Sequence, residues 1–358
     1  MEAEELLREM VSTPSVFPDE QELALRLEEL LDGQGFVVDR VPVSEDRFCL
    51  VADRGDPDIG FYGHLDTVPV QGDWSHDPFD PVVEDGRLYG LGAFDMHGGT
   101  AAALAAAFET QDPVRILLGV DEELYSRGAY ALREGGWLDS LDRLIVPEIA
   151  DTGSGGNWPE IVLGRRGRCV VRIEVIGEPS HGARPDQGVN AITRAVDIVH
   201  QIERMDLSTH PELGVESVFV RRIEGGAESL SIPEEAVIEV DAHLVPPATP
   251  ESFRDRVSGQ LPDYATATLG ERPTPFLPPY VTDRDDVSEI ESVIEESIGR
   301  LSPGHALSVA DENVLGQEVP IVVVGPRGGN AHGADEWVDL DSISSLMSAF
   351  TAVIDQDR

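Results

Sequence analysis

Lysine is missing from this chain altogether. All 26 basic residues among the 358 are arginine, and they face 68 aspartates and glutamates, leaving a formal net charge of -42. A field of that sign repels nucleic acid and anionic membrane, so neither is expected as a partner. Self-repulsion on this scale is tolerable in concentrated salt, where the Debye length shrinks to about 3 Å at 1 M. The composition therefore reads as a salt-adapted protein of haloarchaeal type. Cysteine is scarce as well. Cys49 and Cys169 stand far apart with no Cys-x-x-Cys spacing, which excludes a disulfide framework and a thiolate zinc knuckle. Any metal must be held by nitrogen and oxygen. No apolar run approaches the length of a membrane span, and the opening "MEAEELLREM" is acidic without a hydrophobic h-region. The expected compartment is the cytoplasm.

What is present suffices for a folded protein. Hydrophobic residues make up 41% of the chain, and their periodic placement argues against an acidic disordered polymer. The length suggests two domains. Leucines at helical spacing predict helices over 2–12 and 19–32, followed by short strands at "FCLVA" and "IGFYG". An alanine-rich helix "TAAALAAAFE", the strand "VRILLGV", a helix near "RGAYALREGG" and the strand "DRLIVPE" continue the alternation. That rhythm implies an α/β unit with a mostly parallel sheet and helices on both faces. After Gly164 the rhythm changes. "RCVVRIEVIGE" alternates with period two, a helix over 189–204 follows, then strands near 215–223 and 235–245 and a helix at 250–260. This order suits a small α+β domain, left through the Pro-rich "ERPTPFLPPY". A helix at 286–300, the strand "VPIVVVG" and a helix at 340–355 return to the first style. The boundaries expected are 1–166 and 277–358 for a discontinuous catalytic domain and 167–276 for the insert.

Polar side chains gather where strands should end. His64 and Asp66 follow "IGFYG", Asp95 sits in "GAFDMHGG", Glu122 and Glu123 follow "ILLGV", Glu148 follows "RLIV", and His332 lies one loop beyond "VVVG". In an open α/β sheet, ligands bind beyond the carboxyl ends of the strands. Each piece alone has a plainer reading: His-x-Asp as a capped turn, "DEE" as a solvated acidic run, Asp95 as a turn or N-cap residue, His332 as an ordinary loop histidine. Together they supply two histidines and several carboxylates without thiolates, a set that suits two metal ions sharing a bridging carboxylate. Adjacent Glu122 and Glu123 then offer one ligand and one general base.

The motifs "GHLDTVP", "DGRLYGLGAFDMHGG", "DEE", "GRRG", "SHGARPDQGVNAI" and "AHGADEWV", in that order, span essentially the whole chain. It resembles the dinuclear zinc metallopeptidase and deacylase family that includes succinyl-diaminopimelate desuccinylase, acetylornithine deacetylase, aminoacylase and glutamate carboxypeptidase. The resemblance implies an α/β zinc exopeptidase fold: a phosphorylase/hydrolase-like mixed sheet with helices on both faces, plus an inserted ferredoxin-like α+β lid. It implies two Zn2+ per chain, with Co2+ or Mn2+ fitting the same ligands. His64, Asp95 and Glu148 would hold one ion and Asp95, Glu123 and His332 the other, with Asp151 an alternative to Glu148. Asp66 would orient the His64 ring through its second nitrogen, and Glu122 would be the general base. The lid would mediate a homodimer and pass His181 to the partner's active site as an oxyanion donor.

Three departures bear on substrate. His97 stands where the family commonly has lysine, a change that fits the absence of lysine throughout and so reads as salt adaptation, with a further metal-competent histidine as the alternative. Leu230 and His243 occupy lid positions where relatives show asparagine and arginine, and "VADEN" replaces the desuccinylase's Gly-Thr-Ser-Asp loop. Arg165, Arg166 and His243 are the candidates for gripping a substrate carboxylate, the arginines equally readable as surface ion-pair residues. The expected function is hydrolysis of the amide bond in a small N-acyl amino acid or short peptide. An exopeptidase of carboxypeptidase or dipeptidase type, or a non-catalytic metal- or ligand-binding protein, are the alternatives.

Overall fold

The computed structural model describes residues 1–150, 158–226 and 230–356. Two compact units emerge. The first comprises Met1–Gly164, Val281–Ala306 and Ala310–Arg358; the second comprises Arg165–Tyr280 and Leu307–Val309.

The first unit is built on a nine-stranded sheet. Strands Ile59–His64 and Val114–Gly119 are buried along their full lengths, because apolar side chains on both faces meet cover. Phe61, Ile116 and Leu118 pack into the main hydrophobic cluster with residues of helices Ala3–Ser12, Gly98–Glu109, Arg284–Ile298 and Leu340–Gln356. Phe61 meets Phe350 edge to face at 5.2 Å, a contact worth about 0.5–1.5 kcal/mol beyond its burial. Tyr62, one residue on, points to the opposite face.

The sheet is mixed, and "mostly parallel" describes only its centre. Ile59–His64 runs parallel to Val114–Gly119 and Arg143–Val146, and Arg143–Val146 runs parallel to Ile321–Val323. The flanking strands Val37–Pro42, Phe48–Arg54 and Glu160–Arg165 join antiparallel. The strand Val37–Pro42 escapes a sequence reading because it lies at the sheet edge and is mostly exposed. The alanine helix gains its place through Gly99, where a Cβ would stand 1.8 Å from the carbonyl oxygen of Pro147. That close approach seats the helix against the chain just before Glu148.

The second unit has the order strand, helix, strand, strand, helix, strand: Gly167–Ile176, Ala191–Ile202, Ser217–Gly225, Glu235–Leu244, Pro250–Ser258 and Ala265–Leu269. The second and third strands pair, the third pairs with the first, and the first with the fourth, all antiparallel. This is ferredoxin-like topology. Val171, Ile173, Ile238 and Val240 face the two helices in a separate apolar core. Asn190 caps the first helix by accepting from the N–H groups of Ile192 and Thr193, and Thr249 and Ser252 form a capping box on the second.

Candidate metal centre

Three parallel strands deliver most of the polar groups to one end of the first unit's sheet. His64 closes its strand, Glu122 and Glu123 follow Gly119, and Glu148 follows Val146 by two residues. Asp95 arrives from the tight turn Ala93–His97, entered through Gly92 at φ +76°. The Asp95–Met96 peptide is cis. His332 comes from the loop after Gly328–Gly329 and itself holds φ +61°.

These residues form two triads. Nε2 of His64 lies 3.3 Å from Oδ1 of Asp95 and 3.3 Å from Oε2 of Glu148. Nε2 of His332 lies 3.1 Å from Oδ2 of Asp95 and 3.2 Å from Oε2 of Glu123. Within each triad the ligand atoms all lie within 4.8 Å of one another, and Asp95 belongs to both. One oxygen faces each triad, which is the geometry of a bridging carboxylate.

The donor set fits a pair of divalent cations. Among the described residues, the buried Nε2 of His64 and Oε1 of Glu123 make no hydrogen bond, a costly arrangement unless something positive sits between them. Proton affinities carry the same message. Burial works against charging His64, yet the Asp95 and Glu148 carboxylates outweigh it and hold its pKa well above the usual value. Asp95 and Glu123 raise His332 to about 10. Burial, reinforced by Asp95, pushes Glu148 up to about 7. The cluster demands positive charge, and imidazolium protons meet that demand until a metal displaces them.

The Glu122 carboxyl lies in neither triad. Burial drives its pKa well above the carboxylate range, helped by the negative neighbours Asp311, Glu123 and Glu148, as suits a proton acceptor. Asp66 differs from its expected role. The Nδ1 of His64 bonds the main-chain oxygen of Asp66 at 2.9 Å, and the carboxylate stands 3.8 Å away. That carboxylate instead accepts the N–H groups of Glu122 at 3.2 Å and Glu123 at 3.0 Å. The ring is oriented by the backbone, while the side chain holds the Glu122–Glu123 turn.

Behind this turn lies a buried charge cluster. Arg47 donates to Glu20 through Nε at 2.9 Å and Nη2 at 2.5 Å, and its Nη2 is 3.5 Å from Oδ1 of Asp121. Tyr62 donates its hydroxyl to the buried Asp311. Arg47 had no part in the sequence argument, and Asp121, Asp311 and Glu336 entered it only inside the motifs "DEE", "VADEN" and "AHGADEWV", without a role of their own. In a chain with 68 acidic residues, nothing in their local spacing separates a buried carboxylate from a solvated one.

Other candidates are placed elsewhere. His97 stands outside both triads; its Nε2 meets the Leu65 carbonyl at 3.1 Å, and burial lowers its pKa to about 4. It is a core histidine rather than a third ligand. Asp151 lies outside the described residues. In the second unit, Arg166 directs Nε and Nη2 at the Leu213 carbonyl at 3.0 and 2.9 Å. Arg165 is buried and donates to Ser308 at 3.0 Å. His243 sits on the strand Glu235–Leu244 opposite Arg168. His181 is exposed, with Nδ1 accepting the Ala183 N–H at 3.1 Å.

Comparison with known proteins places the chain among enzymes. Residues 60–356 match the model described as Peptidase family M20/M25/M40. A succinyl-diaminopimelate desuccinylase of Rhodospirillum centenum is 28% identical over 98% of this chain and 96% of its own length. The solved aminopeptidase PepT from Bacillus cereus superposes with a TM-score of 0.78 at 22% identity, covering 98% of this chain and 97% of that one. An M20 family metallo-carboxypeptidase from Sulfolobus solfataricus gives a TM-score of 0.74 at 18% identity, with 99% and 98% covered.

Proposed function

Since the chain belongs to peptidase family M20/M25/M40, we propose that it is a metal-dependent hydrolase cleaving the amide bond of a small N-acyl amino acid or short peptide. The observation that carries this reading is the pair of triads sharing Asp95, with Glu122 beside them and outside both. Two Zn2+ per chain is the reading the all-nitrogen-and-oxygen donor set favours. His64, Asp95 and Glu148 would hold one ion and Asp95, Glu123 and His332 the other. When bound, the metals would polarise the amide carbonyl and acidify water for attack.

The chain's own residues supply the proton traffic. Glu122 takes a proton from the attacking water and returns it to the departing amine nitrogen. Its high proton affinity suits both halves of that cycle. Asp66 holds the carboxyl in place through the Glu122 and Glu123 N–H groups. His181 stabilises the tetrahedral oxyanion from the partner subunit. In its neutral form, an Nδ1 that accepts the Ala183 N–H leaves the ring proton on Nε2 as an outward donor.

A homodimer through the inserted unit is supported by the strand Ser217–Gly225, an edge of its sheet with Phe219 and Ile223 half exposed. A salt-adapted cytoplasmic setting is supported by the charge of -42. Among the described residues no helix is long and apolar enough to cross a membrane.

The test is metal content by plasma mass spectrometry on protein dialysed in molar KCl, wild type and His64→Ala, with zinc-loaded protein assayed on N-acyl amino acids and dipeptides. About two metal ions per chain, fewer in the variant, and turnover of one substrate class are expected, in line with a dinuclear site. Protein that neither binds metal nor cleaves any member of the panel would overturn the reading.

A further inference from the structure

Glu336 lies in "AHGADEWV" and is 1% exposed. Its Oε1 accepts the main-chain N–H of Phe94 at 2.8 Å and of Asp95 at 2.9 Å, and its Oε2 accepts the N–H of Gly92 at 3.0 Å. Three donors from one four-residue stretch converge on a single carboxylate. Both of its oxygens accept, so the three N–H groups of this stretch are held by one side chain. The opposite side of the turn has no slack, since a Cβ on Gly92 would stand 2.6 Å from Cγ2 of Thr67 and 3.1 Å from the His97 ring.

We propose that Glu336 is a positioning residue for Asp95. By pinning the main chain from Gly92 to Asp95, it sets where both Asp95 oxygens point and so keeps the two triads in register with each other. A consequence separates this role from mere packing. Asp95 gives one oxygen to each triad, so loosening the turn weakens both triads together, whereas removing Glu148 strikes only the one it belongs to.

An amide in place of the carboxylate, Glu336→Gln, tests the idea with almost no change in shape. The amide would retain one acceptor oxygen, and its NH2 group would confront either the Gly92 N–H or the Phe94 and Asp95 pair, donor against donor.

The first arm uses metal-free protein in molar KCl and reads amide hydrogen exchange at Gly92, Phe94 and Asp95. These amides should exchange slowly in the wild type and on the order of tenfold or more faster in Glu336→Gln, as expected when buried hydrogen bonds are lost. The second arm rests on the metal-site reading above and titrates Zn2+ into both proteins. Affinity should fall at the two sites in parallel, by about 10- to 100-fold as for other residues that orient ligands. Glu148→Gln should instead weaken one site. At limiting metal, kcat should fall while KM holds, and excess metal should restore kcat. Unchanged exchange in Glu336→Gln, or loss confined to one site, overturns the proposal. If the variant does not fold, fast exchange at these three amides in the folded wild type overturns it equally. Wild-type protein that binds no metal would sink the proposed function, while the exchange arm would still judge the clamp.

Discussion

The candidate metal centre and the inserted unit treat buried charge in opposite ways. In the inserted unit, a buried acid meets an arginine: Asp241 receives Arg168 at 3.1 and 2.6 Å, and Glu216 receives Arg256 at 2.5 Å together with the Ser208 N–H at 2.9 Å. In the first unit, Asp95, Glu123 and Glu148 crowd two imidazoles, and neither triad contains an arginine. Paired buried charge is a structural solution; gathered negative charge is a standing cost that imidazolium protons or a bound cation must relieve. The contrast is the more telling in a protein whose surface is acidic throughout, because the surplus at the metal centre is buried where bulk salt screens least.

The sharpest way to break this comparison is to remove charge that it assigns to chemistry. Glu122→Gln should lower kcat by about 10²- to 10⁴-fold, the usual share of a general base, with metal content unchanged. Steady-state rates and metal analysis on one preparation decide it, and near-wild-type turnover would return Glu122 to the solvated acids. Next in size is Arg47→Met, which leaves Glu20 and Asp121 buried without their cation. Loss of about 3–5 kcal/mol is expected, against roughly 1 kcal/mol for Arg168→Met, where the arginine is 42% exposed and solvent screens the pair. Urea unfolding at fixed KCl measures both, and a reversed order would undo the contrast.

A pH experiment probes the same contrast at Asp311. Burial raises its pKa from 3.8 to about 7, so between those values the folded state holds a proton that the unfolded state has released. Its contribution to stability is full below about pH 4 and is lost as pH rises through about 7. In metal-free protein, Asp311→Asn should flatten that decline, since the amide oxygen still accepts from Tyr62 and carries no charge to bury. Unfolding midpoints at about pH 5, inside that window, and at about pH 9, above it, read the difference, and parallel wild-type and variant profiles would refute it. The smallest effect belongs to Arg172→Gln, whose partner Glu174 is also exposed. It should change stability by no more than about 0.5 kcal/mol, and a larger loss would show that surface pairs of the insert carry structural weight.

How much was legible in the sequence followed from how each residue announces itself. Strands Ile59–His64 and Val114–Gly119 were visible as apolar runs, and His64, Glu122 and Glu123 stood out as polar groups at their ends. The edge strand Val37–Pro42 was hidden because its burial pattern carries no apolar run. The terminal strand Ala265–Leu269 of the insert was hidden because its alternation rests on small alanine and threonine side chains. Glu336 and Arg47 were hidden for another reason. Their roles depend on what the chain brings to them from 241 to 244 residues away, for Glu336 and the Gly92–Asp95 turn, and from 27 residues away, for Arg47 and Glu20.

The sequence by itself determined the central strands and the main helices, the exclusion of thiolate and disulfide chemistry, and the inventory of imidazoles and carboxylates available for a metal. Those follow from local periodicity and from side-chain chemistry, which need no neighbours. Only the tertiary structure decided that Asp95 offers one oxygen to each triad, that Asp66 grips the Glu122 turn rather than the His64 ring, that His97 is core, and that Arg166 bonds the Leu213 carbonyl. Each rests on which atoms the fold brings within hydrogen-bonding reach, and most of those partners are far apart in the chain, so packing alone sets them.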